Sequence, residues 1–361
     1  MDIDRRNMMA GSLAFAATAP LFAAAPAFAA DEPYRLPLAM VHPELRGLVA
    51  QVEQFSHMRQ PMTAANLPQL RAPNPMFNRP PLDNVPHEKR MIAVGGGHPD
   101  VAIFIVNARP GTSRPAILHT HGGGYVIGSA ESSVAALQDL CQKLDCVAVT
   151  VEYRLAPETT FAGSIADNYA GLKWLHANAA ELGADPARIA VMGESAGGGH
   201  AALLAITARD RGEVPVAFQC LIYPMLDDRT GTSRPVPPHV GTLVWTAAQN
   251  RFGWDAFLGA KAGGARVPKG AVPARVASVK GLPPAFIGVG TLDLFHDEDV
   301  DYAQRLNAAG IAAELVVVPG AFHGFDGISM MAALPLGQWF MQVKLNALRR
   351  GFGMAARYGD A

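Results

Sequence analysis

A serine set between glycines, Gly193-Glu194-Ser195-Ala196-Gly197, directly follows the apolar run 188–192 and opens a stretch rich in small residues. A strand that passes into a helix through such a turn bends sharply. Flanking glycines remove the Cβ atoms that would clash there, so the serine hydroxyl projects from the bend. A hydroxyl is a weak nucleophile at neutral pH, and acyl transfer through it needs a base, normally a histidine oriented by a carboxylate. The histidines that follow are His200, His239, His296 and His323. His200 lies on the serine's own helix and His239 in a long insert, while His296 follows Asp293 too closely to be held by it and still reach a separate serine. His323, framed by Gly320-Ala321-Phe322 and Gly324-Phe325, is the expected base. Asp293, in the loop after the apolar run 285–289, is the expected acid. Asp297, Glu298, Asp299 and Asp301 read as a solvated first turn of a helix, where carboxylates favour the helix dipole.

Acyl transfer also needs donors for the developing oxyanion, each worth about 3 kcal/mol. His121-Gly122-Gly123-Gly124 follows the apolar run 116–120, where backbone without side chains can present amides to a substrate oxygen. The amides of Gly123, Gly124 and Ala196 are the expected donors, and Tyr125 and Glu194 beside them are expected to bind substrate. Other chemistries find less support. Gly193 and Gly198 have the spacing of a nucleotide phosphate loop, but Gly199-His200 replaces the required lysine and hydroxyl residue. Gly288-Val289-Gly290 follows a strand, yet Asp293 stands where a dinucleotide fingerprint needs its third glycine. His119 and His121 could share a metal only with a third ligand, and the sequence offers none nearby.

These groups need a frame to carry them. Short β-rich runs at 101–107, 116–120, 147–152, 188–192, 216–223, 285–289 and 313–318 alternate with helical patterns, which predicts a wound, mostly parallel sheet. Several of the runs are continuously apolar, as strands covered on both faces must be. Phe161, Ile165, Tyr169, Leu172 and Leu175 fall on one helical face, and further helices are expected at 196–209 and 297–307, the last stopped by Gly310. Two stretches interrupt the alternation: 31–85, with a helical hint at 43–57, and 225–280, which carries Trp245, Phe252, Trp254 and Phe257. Both are expected to lie over one end of the sheet as a cap, the second either as a lid or as a packed accessory helix pair.

Half of the 361 residues are apolar, 17% are charged, and the formal net charge is -1, so no long-range field draws the chain to nucleic acid or an anionic bilayer. There are three cysteines, Cys141, Cys146 and Cys220, without a C-x-x-C pair; Cys146 and Cys220 lie in apolar runs and read as buried thiols, with a Cys141–Cys146 bridge the less favoured alternative. The N-terminus differs in character from the rest. Arg5-Arg6 precedes an uncharged, Ala-rich run to Ala30, and Ala27-Phe28-Ala29 suits a signal peptidase cutting after Ala29. This resembles a twin-arginine export signal. The same segment could be read as a membrane anchor, but alanine contributes little transfer energy and Pro20 and Pro26 interrupt a helix. Residues 1–29 are therefore expected to be removed, leaving a single domain from residue 30 to 361 in the periplasm or outside the cell, without stable membrane insertion.

Taken together, His121-Gly122-Gly123-Gly124-Tyr125, Tyr153-Arg154-Leu155-Ala156-Pro157-Glu158, Gly193-Glu194-Ser195-Ala196-Gly197-Gly198, Gly281-Leu282-Pro283-Pro284, Asp293 and His323-Gly324-Phe325 resemble the bacterial hormone-sensitive-lipase-like esterases of the α/β-hydrolase superfamily. The similarity spans roughly residues 90–345. It implies an α/β-hydrolase fold, a mostly parallel central sheet with helices on both faces and a mainly helical cap. It further implies that Ser195, Asp293 and His323 are nucleophile, orienting acid and base, that Gly123, Gly124 and Ala196 form an oxyanion hole, and that no cofactor or metal is needed. The expected activity is hydrolysis of short- to medium-chain carboxylic esters. The same fold also supports amidases, peptidases, carbohydrate deacetylases and non-catalytic ligand receptors, and family members include homodimers. The chain departs from the family at Asp293-Leu294-Phe295-His296-Asp297-Glu298, where Asp-Pro-Leu-Arg-Asp-Glu is common, and at Glu194, where Asp or Thr is commoner.

Overall fold

The computed structural model describes residues 35–58, 61–72 and 79–357. The expected export signal and its expected cleavage site fall outside the described residues.

Eight strands form one sheet: β1 (His87–Ile92), β2 (Val101–Val106), β3 (Arg114–Thr120), β4 (Val147–Val151), β5 (Ala184–Glu194), β6 (Phe218–Ile222), β7 (Ala285–Gly290) and β8 (Ala313–Val318). Their spatial order is β1-β2-β4-β3-β5-β6-β7-β8, with β2 antiparallel to its neighbours β1 and β4 and the pairs from β4 to β8 parallel. The α-helices in chain order are α1 (Val49–Met58), α2 (Leu67–Leu70), α3 (Val134–Leu144), α4 (Phe161–Ala177), α5 (Ala179–Leu182), α6 (Ala196–Arg211), α7 (Ala247–Leu258), α8 (His296–Ala308), α9 (Phe325–Met331) and α10 (Pro335–Gly351). Residues from Leu36 onward form one unit.

The continuous apolar runs fill both faces of the sheet, and successive residues sort to opposite sides as strand geometry requires. Ile117, Ala148, Ala190, Cys220 and Phe286 pack with Leu137 and Leu140 of α3 and with Phe340 and Leu345 of α10. Their neighbours Leu118, Val149, Val191, Leu221 and Ile287 pack with Leu172 and Leu175 of α4, Leu204 of α6 and Leu306 of α8. All three thiols are buried and free, with Cys141 Sγ 3.8 Å from Cys146 Sγ. Among the described residues no helix is long and apolar enough to cross a membrane.

The two interrupting stretches take different places. Val41, Leu45 and Val49 join the α3–α10 side of the core, and the His42 amide donates to the Gly320 carbonyl at 2.8 Å, bracing the loop that leads to His323. Met62 and Leu67 instead join a third apolar cluster with Trp245, Trp254, Phe257 and Leu258 of the insert, packed on Tyr125, Leu294 and Phe295. Thr246 starts α7 with a capping box to Gln249, which fixes the insert's one long helix.

The structure departs from the sequence reading at one strand and at one carboxylate cluster. Strand β1, His87-Glu88-Lys89-Arg90-Met91-Ile92, is an exposed, charged edge that pairs with β2, so periodicity gave no sign of it. Asp297 and Asp301 are exposed as a solvated helix start predicts, but Glu298 and Asp299 are buried. Glu298 Oε1 accepts the amides of Leu226 and Asp227 at 2.6 and 3.1 Å, tying the start of the insert to α8. Burial pushes both carboxyls well above the usual range. In the insert, Trp254 and Phe257 are buried and pack on Tyr125. Gly310, by contrast, stops α8 as expected: it lies just past the last turn at φ +78°, and the Ile311 amide bonds back to the Leu306 carbonyl.

Candidate active site

The bend between β5 and α6 is tight enough to exclude side chains on both flanks of the serine. A Cβ on Gly193 would lie 2.4 Å from the Gly197 carbonyl group, and one on Gly197 would lie 2.1 Å from the Thr120 oxygen. Ser195 itself sits at φ +58°, ψ -124°, a backbone state that costs a non-glycine residue about 1–3 kcal/mol and persists only where its surroundings enforce it. They do so through the Ser195 amide on the Ile222 carbonyl at 2.9 Å, and through the amides of Met225 and Gly199 on the Ser195 carbonyl at 2.9 and 3.0 Å.

His323, in the loop after β8, places Nε2 2.9 Å from Ser195 Oγ. Its Nδ1 lies 2.9 and 3.1 Å from the two oxygens of Asp293, in the loop after β7. Asp293 is fully buried and also accepts the Phe295 amide at 3.0 Å, so its oxygens are held on the ring. A carboxylate facing Nδ1 fixes the tautomer that carries its proton there and leaves Nε2 free to accept from the serine. The imidazole is boxed by Tyr223 at 4.7 Å, Phe295 at 5.2 Å and Trp245 at 6.4 Å between ring centroids. Tyr223 is held in turn by its hydroxyl, which donates to Asp326 at 2.6 Å.

The triple-glycine turn faces this line. Gly123 and Gly124 adopt φ +123° and +59°, and their amides donate to no group among the described residues. The amide of Ala196 opens α6 directly after the serine, and a Cβ on Gly122 would lie 3.5 Å from Ser195 Cβ, so the turn runs alongside the nucleophile. His121 holds the turn: its Nδ1 lies 2.8 Å from the Gly122 carbonyl, its ring stacks on Tyr153 at 4.1 Å, and the Tyr153 hydroxyl donates to the His121 carbonyl at 2.7 Å. Burial lowers the His121 pKa to about 4, so the ring stays neutral near pH 7.

The remaining expected site residues fall out differently. Tyr125 is 1% exposed, stacks on Phe257 at 3.9 Å and donates its hydroxyl to the Met225 carbonyl at 2.9 Å. It braces the turn from behind and offers nothing to a substrate, which corrects the sequence expectation. Glu194 commits Oε2 to His119 Nε2 at 2.9 Å, and His119 Nδ1 lies 2.9 Å from the Thr150 hydroxyl, so this histidine joins a buried polar chain beneath the elbow. Burial opposes ionisation of Glu194, but His119 beside it and Lys344 nearby outweigh that and hold the carboxyl below its usual range. Its side chain keeps 28% of its surface accessible.

Sequence reasoning missed Tyr153 and Tyr223 as supports, because nothing in their local pattern separates a core tyrosine from one whose hydroxyl anchors a loop. It set His200 aside as a base without foreseeing its surroundings: the ring is fully buried among Tyr125, Tyr153 and Phe257 with neither nitrogen partnered among the described residues.

The sheet order, the strained serine at the β5–α6 bend and the acid and base on the next loops agree with an alpha/beta hydrolase fold profile, which matches residues 117–327. The chain belongs to the α/β-hydrolase fold family, in its hormone-sensitive-lipase-like branch. It is 36% identical over 223 residues to Carboxylesterase NlhH of Mycobacterium tuberculosis, covering 60% of this chain and 68% of that protein. It is 33% identical to Ethyl acetate hydrolase of Pseudomonas putida, covering 60% of this chain and 67% of that protein. Among solved structures, a bacterial heroin esterase superposes with a TM-score of 0.77 at 36% identity, covering 87% of this chain and 99% of that one. A hyperthermophilic esterase from Pyrobaculum calidifontis superposes with a TM-score of 0.72 at 29% identity, covering 86% and 98%.

Proposed function

We propose that this chain is a serine carboxylesterase acting on short- to medium-chain esters, with Ser195, His323 and Asp293 as its triad. The observation that carries the reading is the continuous line from Ser195 Oγ through both ring nitrogens of His323 to the buried Asp293. Ser195 Oγ attacks the ester carbonyl carbon while His323 Nε2 takes its proton, and Asp293 stabilises the imidazolium that forms. The carbonyl oxygen becomes an oxyanion received by the amides of Gly123, Gly124 and Ala196. Collapse breaks the bond to the alcohol, which leaves with the proton from His323. Water, deprotonated by the same nitrogen, then attacks the acyl-serine, and the carboxylic acid is released as the serine recovers its proton. Relatives named as carboxylesterase and ethyl acetate hydrolase support the ester class.

The test is Ser195→Ala. With the fold retained by circular dichroism, the variant should lose hydrolysis of p-nitrophenyl butyrate and labelling by a fluorophosphonate, and retained turnover would end the reading. A series of acyl lengths measures chain preference, and faster cleavage of a long-chain triglyceride than of a butyrate would remove the short- to medium-chain part. We further propose that the protein acts after export. That proposal is supported by Arg5-Arg6 and by Ala27-Phe28-Ala29, and N-terminal sequencing of the secreted form should begin at Ala30.

A further inference from the structure

We infer that Trp245 and Gly253, both in the insert between β6 and β7, are positioning residues that hold the oxyanion turn through Gly124, so the insert is a fixed clamp on the donors rather than a swinging lid. The inference rests on the esterase reading above.

Gly124 is pressed from two directions. A Cβ at this position would lie 2.1 Å from Cη2 of Trp245, so the edge of the indole sits directly on the Gly124 Cα. A Cβ on Gly253 of α7 would lie 2.5 Å from the Gly124 carbonyl oxygen, so the helix backbone closes on the other side of the same residue. One contact bears on the Cα and the other on the peptide that follows it. Together they constrain a glycine at φ +59° whose own sequence gives the chain every freedom to move.

Both contacts are themselves anchored. The Trp245 indole N–H donates to Asn250 Oδ1 at 3.3 Å, and the fully buried Asn250 donates its amide to the Thr230 carbonyl at 2.9 Å. On α7, Phe257 stacks on Tyr125 at 3.9 Å, and Tyr125 follows Gly124 directly in the chain. Val244, at φ +65°, reaches the loop of the base: its Cγ1 would be 3.9 Å from a Cβ on Gly324. The short strap at 243–245 therefore touches the oxyanion turn and the His323 loop at once. Oxyanion donors act only when fixed on the position the charged oxygen will occupy, and a misplacement of well under 1 Å is costly. An insert that swung away would release Gly124 and lose those donors.

The experiment uses the full chain and first confirms that the wild type hydrolyses p-nitrophenyl butyrate. Failure there removes the esterase reading and is distinct from failure of the clamp. Gly253→Ala is then measured per active site, counted by fluorophosphonate titration. Alanine is the better helix former, so α7 itself is not weakened. The added methyl must push Gly124, so kcat should fall about ten- to a hundredfold while KM stays within about threefold, because oxyanion donors act on the transition state. Affinity for a trifluoromethyl ketone, which forms an oxyanion on Ser195, should fall by the same factor. A structural role alone would lower stability and leave kcat per titrated site unchanged, and that result, or a loss confined to KM, overturns the inference. If Gly253→Ala does not fold, Trp245→Phe withdraws the indole edge from Gly124. It should lower kcat about three- to tenfold at constant KM, and an unchanged kcat overturns the clamp equally.

Discussion

The hydroxyl of Tyr125 donates to the Met225 carbonyl at 2.9 Å, linking the residue after the triple-glycine turn to the segment after β6, whose Met225 amide donates to the Ser195 carbonyl. A Cβ on Gly199 would lie 2.3 Å from that hydroxyl, so the phenol is seated on the elbow helix itself. Tyr125→Phe removes the donor and leaves a buried carbonyl unpaired, which should cost about 1–2 kcal/mol in urea unfolding. KM for p-nitrophenyl butyrate should stay within about twofold, because the ring touches no substrate. A tenfold rise in KM at unchanged stability would return Tyr125 to the substrate pocket.

Asp293→Asn keeps the shape of the acid but not its charge, and an amide no longer enforces a proton on Nδ1 of His323. By the logic of serine triads kcat should fall by about 10³–10⁴. Stopped assays with p-nitrophenyl butyrate at pH 7 measure this, with circular dichroism as the folding control. Activity within tenfold of wild type would show that Asp293 does not orient His323.

Much of this site was legible in the chain. The glycines around Ser195 declare a bend, because nothing else fits where a Cβ would meet Thr120 and Gly197. Asp293 and His323 follow from chain order and from their loops after apolar runs. What could not be read is direction. Glu298 and Asp297 are neighbours of one type in one helix turn, yet one is buried under Leu226 and the other faces solvent. Tyr125 and Trp245 are both aromatic residues near the edge of the sheet, and only the packing of α7 decides that the first braces and the second abuts Gly124 and His323. Strand β1 was silent because its alternation is charged on an exposed edge.

Burial raises the Glu298 carboxyl well above its usual range, so between about pH 4.5 and its folded value the native state holds a proton that the unfolded chain releases. Stability from this group is present below that window and lost as pH rises through it. Glu298→Gln keeps an acceptor for the Leu226 and Asp227 amides but cannot ionise. The variant should match wild type in urea midpoint near pH 4 and exceed it at pH 8. Equal midpoints at both values would show that Glu298 is ionised at no cost in the native state.

His200 runs the other way. Enclosed by Tyr125, Tyr153 and Phe257, its ring is held neutral, with the pKa lowered to about 3 by burial and by His121 nearby. The unfolded chain takes up a proton near pH 6.5, so stability falls as pH drops from about 6.5 toward 3 and is unaffected above that window. His121, lowered to about 4, adds to the same slope. His200→Leu replaces two nitrogens that have no partner among the described residues with apolar surface in an apolar box, which should raise stability by about 1–2 kcal/mol at pH 7. It should raise it further at pH 5, where wild type pays for keeping the ring uncharged. Urea unfolding at both values measures the difference, and a variant that is less stable at pH 5 than wild type would mean that a polar partner satisfies His200 after all.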